Sequence, residues 1–163
     1  MKASLQIASV RKSLVVRATA QKAFDVFTAG IDRWWPKTHG IGEGPVLESI
    51  IEPFVGGRWY SRHAGGAEAV VGHVLVWEPA RRFVCTWEIS ADWKSDARAV
   101  FASEVEVCFV PEGPDTTRVD LEHRNFERMP APGGEKMRND VDGGWPKILD
   151  MFAAEVAREG TPI

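Results

Sequence analysis

The sequence predicts an α+β domain in the order β-α-β₆-α: a curved, seven-stranded antiparallel sheet closed over a long C-terminal helix. Three observations carry this expectation. From Gly56-Gly57-Arg58-Trp59-Tyr60 through Phe83-Val84-Cys85-Thr86-Trp87, apolar and polar residues alternate with period two and are interrupted by Gly and Pro. That is the signature of short strands joined by tight turns. Two stretches, one after the first strand and one at the end of the chain, switch to helical spacing. A sheet has one face to hide, and only these two helices are available to cover it, which leaves room between the layers for a small molecule.

The first strand is Val10–Ala18, with Leu14, Val16 and Ala18 on one face and Arg11, Ser13 and Arg17 on the other. Thr19 suits an N-cap for a helix over Ala20–Trp34, in which Phe24, Phe27, Ile31 and Trp34 form a buried stripe. Pro36 ends it, because the residue before a proline avoids the α region. Lys37–Gly44, with Gly40, Gly42 and Gly44, reads as a mobile loop. Strands follow at about Pro45–Ile51, Arg58–His63, Ala67–Trp77 and Arg82–Ile89, then a polar loop Ser90–Ala99 carrying Trp93. The last two strands are Val100–Val110 and Thr116–Phe126, separated by Pro111-Glu112-Gly113-Pro114-Asp115, the strongest turn signal in the chain. Glu127–Gly134 links to a helix over about Glu135–Arg158, where Pro146 predicts a kink or a fresh start near Asp142–Gly144.

At 163 residues the natural count is one domain, with an ordered core of about 9–159 and frayed ends at Met1–Ala8 and Gly160–Ile163. A net charge of −3, with signs mixed along the strands, excludes a general nucleic-acid surface. No apolar run reaches the roughly 20 residues that span a bilayer, and the first residues hold no apolar signal core. Cys85 and Cys108 lie inside predicted strands and read as reduced, apolar filler in a cytoplasmic protein. The seven tryptophans are the compositional oddity; several on one concave surface point to a lined pocket.

Candidate functional residues come from the strand faces. Trp59, Ser61 and His63 share one face, as do Val71, His73, Leu75 and Trp77, and Val119, Leu121, His123 and Asn125. Each of the three histidines either orients a polar group of a ligand, or serves as acid or base, or is a satisfied structural imidazole. Their spacing is not that of zinc ligands, and neither a G-x-S-x-G elbow nor a phosphate-binding glycine loop occurs, so no metal or cofactor is expected. Glu88, Glu104 and Glu106 are expected to face water, and Arg58 and Arg62 either guard a pocket mouth or are solvated.

This order of elements, with its local signatures, resembles the START-like superfamily (SRPBCC or Bet v 1-like), in particular the branch of homologues of the activator of the heat-shock-protein-90 ATPase. The matching residues are Thr19–Phe27, Trp34-Trp35-Pro36, Gly56-Gly57-Arg58-Trp59-Tyr60 and Gly72-x-Val74-x-x-Trp77-x-Pro79. They continue with Thr86-Trp87, Thr117-x-Val119-x-Leu121-x-His123 and Gly144-Trp145, and so span nearly the whole chain in order. The resemblance implies a helix-grip fold with a cavity for hydrophobic or amphipathic ligands; members include lipid carriers, hormone receptors, polyketide cyclases and a co-chaperone domain. It makes a small-molecule binding protein the first expectation. Trp59, Trp77, Phe83, Trp87, Ile89, Phe109 and Trp145 would then line the cavity, with His63, His73 and His123 as polar anchors. The alternatives are a cyclase- or aromatase-like enzyme and a module that binds a chaperone. Either a monomer or a homodimer, the latter using an edge strand or an exposed Trp93, fits the sequence.

Overall fold

The computed structural model describes residues 6–160; most of both segments expected to fray lies outside that range. The elements are β1 (Val10–Val16), α1 (Ala20–Phe27), β2 (Val46–Ile51), β3 (Arg58–His63), β4 (Glu68–Glu78), β5 (Arg82–Trp87), β6 (Ser103–Gly113), β7 (Thr116–Arg124) and α2 (Gly133–Gly160). The seven strands form one antiparallel sheet in the order β1-β7-β6-β5-β4-β3-β2. It curls into a half-barrel around α2, the helix-grip α+β fold that the sequence predicts. Val141, Trp145, Ile148, Phe152 and Val156 of α2 are buried against it at helical spacing.

Several details depart from the sequence reading. Thr19 caps α1 as expected, its Oγ1 accepting from Lys22 N at 3.1 Å, but the helix ends at Phe27 and not at Trp34. The Thr28 hydroxyl donates to Phe24 O at 2.7 Å, and Gly30 N reaches back to Asp25 O, so the chain unwinds into a 3₁₀ turn at Ile31–Arg33. The apolar stripe survives the break: Phe24, Phe27, Ile31 and Trp34 are all buried. In the last helix Pro146 causes no fresh start, for α2 is continuous through it. β6 runs on through Pro111 to Gly113, because a register shift there spares the ladder the N–H that proline lacks. The strap Lys37–Gly44 contains a 3₁₀ turn at Lys37–His39.

β4 holds the departure with the largest consequence. Its pairing shifts by one residue between Trp59/Tyr60 on the β3 side and again between Val74/Val76 on the β5 side. Each bulge reverses the alternation beyond it. Ala69 and Val71 point inward, then Val74 does, so His73 and Leu75 turn to the outer face. Gly72 sits at the first bulge with its backbone against β5; a Cβ there would stand 1.7 Å from Thr86 O. No larger residue fits without moving that strand.

Candidate functional site

The layer between sheet and α2 has two ends of different character. Under α1 the space is filled: Phe27 stacks at 5.0 to 6.1 Å from Trp34, Phe152, Phe83 and Phe109, and Phe24 meets Trp77 at 5.1 Å and Phe109 at 5.3 Å. Under the middle of α2 the rings are indoles, in contact with one another at similar distances. Trp35, Trp59, Trp87 and Trp145 form a circuit, each meeting the next at 5.0, 5.8, 5.8 and 6.0 Å between centroids. Beside this circuit lies a cavity of about 380 Å³.

Four segments build its wall. α2 supplies Asp140, Val141, Gly144, Trp145 and Ile148, which fall on one face because they recur at steps of three and four. The sheet supplies Val71, Trp87 and Ile89, and the strap after Pro36 supplies Thr38, His39 and Ile41. The loop after Ile89 supplies Trp93, held in a left-handed conformation at φ 61° and packed edge-on to Trp87. The wall is mostly apolar, with Thr38, His39 and Asp140 as its polar side chains. A second hollow of about 260 Å³ lies behind Trp87 and Ile89, next to Asp96, Arg98 and Met129.

Hydrogen bonds fix this end. Trp93 Nε1 donates to Asp140 Oδ2 at 3.0 Å, and Lys136 Nζ donates to the same oxygen at 2.8 Å and to Ala91 O at 2.7 Å. The loop is thereby stitched to α2, and both donors hold the Asp140 carboxyl below its usual range. Trp145 Nε1 donates to His123 Nδ1 at 3.1 Å, which puts the imidazole proton on Nε2, 2.9 Å from Ser103 Oγ. His123 is completely buried, and burial pushes its pKa down to about 3. The buried indole N–H of Trp87 has no acceptor among the described residues.

A second Ser–His pair has the opposite polarity. Gly44 O lies 3.0 Å from His63 Nδ1 and needs a proton there, so Nε2 accepts from the Ser61 hydroxyl at 2.7 Å. This pair anchors the strap. A Cβ on Gly42 would stand 2.9 Å from His63 Nε2 and 2.8 Å from Ala69 Cβ, so only glycine lets the strap lie flat on the ring.

Of the ten residues expected to line a site, Trp87, Ile89 and Trp145 border the cavity. Trp59 belongs to the indole circuit behind it, and His63 and His123 are buried in its supporting walls. Trp77, Phe83 and Phe109 lie instead in the filled end around α1, because the sheet's inward face is longer than the cavity. His73 faces outward, its Nδ1 2.7 Å from Glu88 Oε2, since the β4 bulge reverses its side. Glu88, expected in water, is buried beneath His73 and accepts from Thr86 Oγ1 at 2.5 Å. Arg58 and Arg62 do not guard the mouth; they pair with Glu68 and Glu48, and Arg58 lies over the Tyr60 ring. Sequence reasoning missed Trp35, His39, Ile41, Trp93 and Asp140. Trp93, which the sequence offers as an exposed side chain for a dimer contact, is exposed and also borders the cavity.

Among the described residues, no three His, Cys, Asp or Glu side chains gather as metal ligands, and no helix is long and apolar enough to cross a membrane. The family profile described as "Activator of Hsp90 ATPase homolog 1-like protein" matches residues 17–157. No curated protein matches the chain. Among solved structures, an anthrahydroquino-γ-pyrone synthase, determined as a complex, is 39% identical at a TM-score of 0.65, over 91% of this chain and 97% of that one. The self-sacrificing resistance protein CalC from Micromonospora echinospora is 32% identical at a TM-score of 0.68, over 95% of this chain and 97% of its own. The chain therefore belongs to the Activator of Hsp90 ATPase homolog 1-like family, a branch of the START-like superfamily.

Proposed function

We propose that this family member binds a small, flat, mostly apolar molecule in the cavity between the sheet and α2. One observation carries the reading: a volume of about 380 Å³ bounded by Trp35, Trp87, Trp93 and Trp145. That volume falls within the roughly 300–1,000 Å³ of small-molecule sites, and indole walls suit the faces of aromatic rings. The similarity to an anthrahydroquino-γ-pyrone synthase, 39% identical, supports the same ligand class. A titration with β-naphthol tests it. Saturable quenching of tryptophan fluorescence and a rise in melting temperature are expected, as linkage requires. Ile148→Trp, which fills the cavity, should abolish both while the protein stays folded. Quenching that never saturates, or that survives Ile148→Trp unchanged, overturns the reading.

A second reading is favoured by the similarity to a synthase: catalysis of ring closure in the same cavity. Holding a flexible chain in a near-reactive fold lowers the barrier by removing orientational freedom, and this needs walls more than it needs an acid–base pair. Turnover of an aromatic precursor by the wild type, lost in Ile148→Trp, would distinguish an enzyme from a carrier.

A further inference from the structure

The cavity wall holds one ionised side chain, and its surroundings say what it can recognise. Asp140 lies on α2 one turn before Gly144 and borders the cavity with Val141. Oδ2 receives both Trp93 Nε1 and Lys136 Nζ, while Oδ1 has no donor among the described residues. A carboxylate is acceptor-only when ionised, so Oδ1 is a hydrogen-bond acceptor with open capacity. No other side chain of the wall bonds it: Thr38 and His39, the other polar ones, make no hydrogen bond to it in this structure, and Val71, Val141 and Ile148 have no donor.

The charge of the partner is also constrained. Lys136 Nζ already stands 2.8 Å from the carboxylate and neutralises much of its charge. An ammonium on the ligand would be brought close to that first cation, whereas a neutral hydroxyl would not. A hydroxyl on an aromatic ring meets both demands at once, placing its ring against the indoles and its O–H on Oδ1. Charge-assisted O–H···O⁻ bonds are the stronger kind, which makes the position discriminating.

We infer that Asp140 is the specificity-determining residue of the cavity and selects aromatic ligands that carry a hydroxyl donor. The inference rests on the cavity being a binding site. The Asp140 side chain is 36% exposed in the free protein, where water serves Oδ1; a ligand that covers it without a donor removes that water and binds about tenfold more weakly.

The test compares β-naphthol with its methyl ether, two probes of nearly the same shape, by calorimetry on the full chain at neutral pH. The wild type should bind the hydroxyl form about tenfold more tightly or better. Asp140→Asn, which can still accept from Trp93, should bring the two affinities within about twofold, chiefly by weakening β-naphthol. Asp150→Asn, at an exposed carboxylate of α2 outside the cavity wall, should keep the preference. Equal binding of both probes by the wild type overturns the inference and leaves the cavity reading standing; binding of neither overturns both. A preference that persists in Asp140→Asn, or one lost equally in Asp150→Asn, assigns selectivity elsewhere and overturns it too.

Discussion

The two ends of the interior share one sheet and one long helix, yet one is solid and the other hollow. At the solid end α1 lays Phe24 and Phe27 across Trp77, Phe83, Phe109 and Phe152, ring edge to ring face. Those contacts need no polar partner, and the buried indole Trp34 uses a backbone oxygen, its Nε1 donating to Val26 O at 2.8 Å. At the hollow end no helix stands in the place of α1. A glycine-bearing strap and a loop cover the sheet instead, tied down through His63, His123 and Asp140. Apolar packing maximises contact and removes space, whereas hydrogen bonds hold walls at a distance. The molecule uses the first to be stable and the second to stay open.

Truncation should show the largest difference between the ends. Phe27→Ala removes a fully buried ring from four aromatic neighbours and should cost about 3–5 kcal/mol in chemical denaturation. Ile148→Ala, on the cavity wall, enlarges a void that already exists and should fall near the low end, about 2 kcal/mol. Equal costs would mean that the hollow end is packed as tightly as the other, and would break the comparison.

Acid should separate the ends next. His123 is neutral when folded, with a pKa near 3, against 6.5 for the free side chain. Between those values the unfolded chain binds a proton that the folded chain refuses, so stability is complete above about pH 6.5 and declines as pH falls, by up to about 1.4 kcal/mol per unit. Carboxylates held below their ordinary range, such as Asp96 and Glu159, lose stability in acid too, but only below about pH 4.5. In the span between, His123 contributes. Proton NMR should show the Trp145 indole N–H, bonded to His123, losing exchange protection before that of Trp34, bonded to a backbone carbonyl. Simultaneous loss would show that the ends open as one unit.

The fold was legible in the sequence because period-two alternation and turn residues are local signals, and the stripe Phe24, Phe27, Ile31, Trp34 announced its burial even where the helix beneath it stops. The site was legible only in part. Trp87 and Trp145 lie on regular elements whose faces can be counted, and both border the cavity. His73 was misplaced because a bulge is fixed by the neighbouring strands: Gly72 must sit against Thr86 O, which no pattern within β4 reveals. His39, Ile41 and Trp93 lie on irregular backbone, where position follows from tertiary bonds such as Trp93 to Asp140. One signal was available: Asp140, Gly144 and Ile148 recur at four-residue steps, placing a glycine in the middle of an otherwise bulky helix face.

That glycine permits the finest test of why one end is hollow. Gly143 and Gly144 are adjacent in α2, and a Cβ on either would meet nothing within 4 Å. Each residue in a helix interior gains about 0.5–1 kcal/mol when glycine becomes alanine, since the unfolded chain loses freedom. Gly143→Ala and Gly144→Ala should therefore stabilise the protein alike. Only Gly144 borders the cavity, so its methyl group occupies ligand space and should weaken β-naphthol binding several-fold, while Gly143→Ala leaves the affinity unchanged. If the gap opposite Gly144 is maintained for a ligand, stability and binding move in opposite directions at position 144 alone. If both variants gain stability and bind as the wild type does, the volume at Gly144 is incidental to binding.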